Sequence, residues 1–152
     1  MNKTLLFTVL FGISIFSLSG CTAKGPQFQS FQKPKNPNNG IIYVYRPFKF
    51  FGMAFKYDVF ADRMYHHNEG YYIGKIKVNS YSYKEVPNGI YKVKATTSTL
   101  DKTFIKVKVG KNKIICIKTY PGMGVLVGRA NFELVDLKTC EKEIKGTRLN
   151  LE

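Results

Sequence analysis

The chain has 152 residues, with 24 Lys and Arg against 10 Asp and Glu, a formal net charge of +14, ten Tyr, twelve Phe and no Trp. One domain with a proper core fits within that length. The charge draws the chain to anionic surfaces and polymers and sets it against a strongly basic partner such as a lysozyme.

Residues 1–20 are expected to be a secretory leader, cut before Cys21. Lys3 supplies a positive start, Leu5 to Leu18 is almost wholly apolar, and Ser19 and Gly20 precede Cys21. A run of fourteen residues falls short of the roughly 20 that span a bilayer as a helix. Leu18-Ser19-Gly20-Cys21 resembles the lipobox of bacterial lipoproteins, in which the cysteine sulfur carries acyl chains; the other reading is an ordinary cleaved leader. Two or three chains give stable anchoring at about 0.8 kcal/mol per buried methylene. Thr22, rather than Asp, follows the cysteine. By the sorting pattern this resembles, the expected address is the outer membrane. The leader holds one basic residue and no acidic one, so its removal takes the net charge from +14 to +13. A secreted chain meets phospholipid headgroups, lipopolysaccharide phosphates and wall carboxylates, so nucleic acid is not an expected partner.

Residues 21–40 are expected to be a lipidated cysteine and a flexible tether. Thr22 to Gly40 is rich in Pro, Gln and Asn without apolar periodicity, and as a coil it would reach about 23 Å. Lys24, Lys33 and Lys35 would each add about 1 kcal/mol beside an anionic headgroup layer.

The folded domain is expected over 41–152. Strands are predicted at 41–46, 56–62, 72–78, 81–86, 90–97, 103–109, 113–120 and 131–137, and no window shows a helical stripe. Pro87-Asn88-Gly89 reads as a tight hairpin turn, Gly110-Lys111-Asn112 as another turn, and 63–71 as a long irregular one. About seven or eight short strands give an all-β fold, a small antiparallel β-sandwich. Lysines along 90–109 line one face. They either meet an anionic partner or simply keep the sheet solvated and discourage edge pairing.

Cys116 and Cys140 are the candidate disulfide in an oxidising compartment. A hairpin centred between 120 and 131 sets Cys116 opposite Val135, which leaves Cys140 about 16 Å further along a strand. The bridge therefore requires the chain to fold back after Lys138. His66 and His67 are the only histidines. As strand neighbours they face opposite ways, and structural metal-ligand spacing is missing, so no metal or other cofactor is expected. Gly122, Gly124 and Gly128 lack a Gly-Lys-Ser/Thr ending and do not lead into a helix, so neither nucleotide fingerprint applies; a tight path or a close backbone approach between sheets is the expected use. Arg46 and Arg129 suit either a bidentate anion contact or a structural tie to loop carbonyls. No nucleophile motif accompanies the histidines, so no catalytic residue is assigned.

Tyr43-Val44-Tyr45-Arg46-Pro47, Tyr57-Asp58-Val59-Phe60-Ala61-Asp62, Val86-Pro87-Asn88-Gly89, Gly122-Met123-Gly124-Val125 and Phe132-Glu133-Leu134-Val135 occur in an order that resembles the bacterial lipoproteins grouped as "domain of unknown function 2846". The resemblance runs from Ile41 to Lys138. It implies a small β-sandwich, similar to prealbumin-like and PEGA-like modules, on a lipid anchor, and it brings no catalytic residue. RMYHHNEGYY departs from the shorter connection usual in that family. The expected function is a non-enzymatic envelope lipoprotein that binds an envelope protein or an anionic wall or lipopolysaccharide component; the alternative is a small hydrolase of wall or glycan substrates.

Overall fold

The computed structural model describes residues 23–49, 52–66, 69–96, 103–122 and 129–152. The strands are β1 (Asn39–Arg46), β2 (Tyr57–Arg63), β3 (Gly70–Ile76), β4 (Ser80–Pro87), β5 (Gly89–Thr96), β6 (Phe104–Val109), β7 (Ile114–Gly122), β8 (Arg129–Val135) and β9 (Arg148–Leu149), with one helix, α1 (Leu137–Ile144), before β9. They form a five-stranded sheet, β8-β7-β1-β4-β9, and a four-stranded sheet, β3-β2-β5-β6. The fold is the expected small β-sandwich, and each of the eight predicted strands is present within about two residues. Two pairings in the larger sheet, β1 with β7 and β4 with β9, are parallel; the rest are antiparallel.

The core between the sheets follows strand alternation. Ile42, Val44 and Ile117 of one sheet meet Tyr57, Val59, Ala61, Tyr91, Val93 and Val107 of the other. Strand β1 does not alternate in composition: Ile41, Tyr43 and Tyr45, on its far face, are buried as well. A strand apolar on both faces needs cover on both. That cover is a second cluster in which Phe28, Phe31, Cys140 and Ile144 pack on Ile41, Tyr43, Tyr45 and Tyr81.

Three expectations change here. The segment read as a flexible tether lies against the larger sheet. Ala23 and Phe28 are buried, the Gly25 and Phe28 amides donate to Leu149 and Thr147, and Leu149 donates back to Pro26. The physical reason is that Phe28 and Phe31 stand edge-on to Tyr43, with centroids 6.2 and 5.1 Å away, and apolar burial outweighs a polar, proline-rich composition. Secondly, a helix is present. Asp136 caps α1 by accepting from the Thr139 amide at 3.0 Å and its hydroxyl at 2.7 Å, and the eight residues bury only Cys140 and Ile144. Thirdly, Pro87-Asn88-Gly89 is not a hairpin. It carries the chain from one sheet to the other in a single step, with the Asn88 carbonyl held by Arg63 at 2.9 Å and its side-chain amide by the Asn38 carbonyl at 3.1 Å.

A glycine is required where β3 bulges. Gly74 has φ 148°, a Cβ there would strike the Ser82 side chain, and the register against β2 shifts between Val59 and Phe60. Ser82 uses the closeness to donate to the Ile73 carbonyl at 2.7 Å.

Candidate functional site

The two sheets differ in what covers their outer faces. Residues 23–32 and α1 lie over the larger sheet, whereas the outer face of β3-β2-β5-β6 carries no further layer among the described residues. Alternation on β2, β5 and β6 sends Tyr57, Val59, Val93 and Val107 inward and Asp58, Phe60, Asp62, Lys92, Lys94, Phe104, Lys106 and Lys108 outward. Strand register aligns them in rows. Phe60 faces Tyr72 on one side and Lys94 on the other, and Lys94 faces Phe104. In the next row Asp62 faces Lys92, which faces Lys106.

These side chains are arranged as a mosaic of rings and ammonium groups. The Phe60 and Tyr72 rings lie 5.2 Å apart, and the Lys92 ammonium sits 4.2 Å from the Phe104 centroid, within cation–π range. Lys94 pairs with Asp62. Tyr72 donates to Asp58 at 2.9 Å; burial and that carboxylate push its phenol up to about 12, so it stays a neutral donor. Lys106 and Lys108 are exposed and have no acidic partner among the described residues. Aromatic faces with unpaired ammonium groups suit a ligand that is both ring-bearing and anionic.

Arg46 is not an anion contact. It is 1% exposed, its Nη1 and Nη2 donate to the Phe55 and Gly52 carbonyls at 2.7 and 2.5 Å, and its Cζ lies 5.6 Å from the Tyr57 centroid. Burial lowers its pKa. The guanidinium is a strut for the loop after β1, where Gly52 holds φ 77° against Pro121. Arg129 opens β8 at the surface, and its carbonyl accepts from the Tyr57 hydroxyl at 3.5 Å.

Cys116 and Cys140 are bridged, with Cα atoms 6.2 Å apart. Cys116 does face Val135 across the β7–β8 ladder. Helix α1 then reverses the chain and lays Cys140 over β7, the fold-back that the bridge demands. Glu143 reinforces it, accepting from the Tyr45 hydroxyl and the Lys118 ammonium, each at 2.8 Å. Burial pulls the Glu143 carboxyl up, but Lys118 and Tyr45 together outweigh it and leave it below its ordinary value.

His66 is exposed in the β2–β3 turn; His67, Cys21, Gly124 and Gly128 lie outside the described residues. Gly122 ends β7, where a Cβ would press on the Asn131 side-chain amide at 2.6 Å; the close neighbour is a side chain of the adjoining strand β8, not a backbone of the other sheet. Among the described residues no group of three or more His, Cys, Asp or Glu is placed to hold a metal, and no helix is long and apolar enough to cross a membrane. Every described carboxyl with a clear pKa departure lies below its ordinary value: Glu69 through Arg63, Glu85 through the Asn36 and Lys35 amides, Asp136 through Thr139, Glu152 through Lys77, and Glu143 as above.

Sequence reading found the lysine face but missed its rings. Phe60, Tyr72 and Phe104 belong to three strands, and only strand register puts them together. It also missed a cleft between residues 26–32 and the tyrosines of β1 and β4, since that segment read as a tether.

No family model matches the chain, and no solved structure does. A relative from Haemophilus influenzae, an uncharacterized protein, is 30% identical over 123 residues, which cover 81% of this chain and 66% of that protein. The chain thus spans just under two thirds of that relative's length.

Proposed function

We propose that the chain is a cell-envelope lipoprotein whose β-sandwich is a non-enzymatic binding module. Cys21 carries the acyl chains and holds it at the outer membrane. The outer face of β3-β2-β5-β6 docks an anionic component of the wall or of lipopolysaccharide. The observation that carries this reading is the contrast between the faces: one sheet is sealed by a further layer, and the other presents Lys92, Lys94, Lys106 and Lys108 among Phe60, Tyr72 and Phe104. The Cys116–Cys140 bridge supports a location outside the reducing cytosol. The resemblance of the ordered motifs to the lipoprotein family with domain of unknown function 2846 supports the same address.

The test is retention of the detergent-solubilised full chain on immobilised peptidoglycan and lipopolysaccharide across a salt series. Each ammonium near an anionic surface is worth about 1 kcal/mol, so Lys106→Ala with Lys108→Ala should weaken binding roughly 30-fold. Added salt should weaken the unmodified protein. Equal retention of variant and parent, or none on either matrix at low salt, overturns the docking surface. Membrane sedimentation that survives Cys21→Ser overturns the anchor.

A further inference from the structure

We propose that the cleft between the amino-terminal segment and strands β1 and β4 binds one neutral sugar ring, free or at the end of a glycan. The cleft holds about 180 Å³ and is lined by Tyr43, Tyr81 and Tyr83 on the sheet side and by Pro26, Gln27, Gln29, Ser30 and Gln32 on the segment side, with Leu149 at one end. This is below the roughly 300 Å³ at which drug-sized sites begin, a size for a single small ring.

Its chemistry is uniform. No charged side chain lines it, so it offers an anion no counter-ion. The sheet side is aromatic: Tyr43 and Tyr83 stack at 5.0 Å and 23°, and Tyr43 and Tyr81 at 6.4 Å and 25°. The facing wall and rim are amides and a hydroxyl. Tyr43 is already used, its oxygen accepting from the Gln32 amide at 2.7 Å, and burial pushes it up to about 12, so it stays neutral. Gln27 donates to the Lys145 carbonyl at 2.8 Å. By contrast, the Tyr81 and Tyr83 hydroxyls and the side chains of Gln29, Ser30 and Gln32 make no hydrogen bond among the described residues.

Tyr43 and Tyr81 are buried and Tyr83 is half-buried, so a ligand for this cleft must set an apolar face against the Tyr83 ring and offer groups that both donate and accept at its rim. Each amide and hydroxyl presents both roles. A purely apolar ligand would strip water from these groups without replacing its hydrogen bonds. A nucleobase would find rings on only one side. A pyranose has carbon–hydrogen faces ringed by hydroxyls, and meets both demands. The docking surface proposed above lies on the opposite sheet and takes anions, so the two sites are independent.

Saturation-transfer NMR and calorimetry on the full chain, in a detergent without a sugar headgroup, test the proposal with N-acetylglucosamine, glucose, glucuronate and adenosine. The expected result is saturable millimolar binding of at least one neutral sugar, with glucuronate and adenosine about tenfold weaker or absent. Tyr83→Ala and Gln29→Ala should each weaken binding about tenfold, the loss of roughly one contact's 1.4 kcal/mol. Gln29 is exposed, so its variant reports even where Tyr83→Ala unfolds. Absence of binding by both sugars, preference for glucuronate or adenosine, or indifference to Gln29→Ala overturns the proposal.

Discussion

The two sheets share one alternation rule and end in opposite situations. On β5 and β6 the outward positions include Lys92, Lys94, Lys106 and Lys108 beside Phe104, and the lysines keep their charge in water while their stems cover the sheet. On β1 the outward positions are Ile41, Tyr43 and Tyr45, and all are buried. The lesson lies in the composition of a single strand. Alternation with lysine announces a face that ends in solvent, whereas an unbroken run such as Ile-Ile-Tyr-Val-Tyr announces a layer still to be supplied. Here the supply comes from chain segments at both ends of the domain, residues 23–32 and α1.

That contrast can be broken experimentally. The largest effect should come from Phe28→Ala. Phe28 is buried against Tyr43 and Tyr81, and its loss should lower stability by about 3–5 kcal/mol, read from the urea midpoint; a free tether would leave the midpoint unmoved. Cys116→Ser with Cys140→Ser opens a link of sequence separation 24 and should cost about 3.5 kcal/mol on chain-entropy grounds. Glu143→Ala strands the Tyr45 hydroxyl and the Lys118 ammonium and should cost about 1–3 kcal/mol. The pH dependence adds a signature. Because the Glu143 carboxyl is depressed in the folded chain, its contribution is present above the ordinary glutamate range and fades as pH falls through the lowered folded value. The parent should therefore lose more stability on acidification than Glu143→Ala does. On the bare face, Lys106→Ala with Lys108→Ala should stay within about 0.5 kcal/mol of the parent, whatever it does to binding.

Much of the inner sandwich was legible, because eight strands carry period-two patterns or apolar runs, and the hairpin arithmetic that sets Cys116 against Val135 holds in the ladder. The outer layer was not. An eight-residue helix is shorter than the window in which a 3.6-residue period emerges, although Asp136 followed by Thr139 is a readable capping signal. Phe28 and Phe31 stand alone in a polar segment, and their burial depends on rings from β1 and β4 that are far away in sequence. The cleft inherits the same blindness, since one wall is that segment. Arg46 was ambiguous because a carbonyl-tying and an anion-binding guanidinium leave the same trace; only the loop carbonyls of Gly52 and Phe55 decide it.

The seat of Ala23 also sets the stance of the whole molecule. With Cys21 as the proposed acyl carrier, only Thr22 stands between the greasy tails and a residue packed into the body of the domain. Two residues reach at most about 7 Å, so on the proposed anchor the sandwich would ride close upon the lipid leaflet instead of drifting on a leash. Gly25 pairs with Leu149 of β9, so on that anchor this rim would be the part nearest the bilayer. The lysine-bearing sheet would then be the storey farthest from the anchorage.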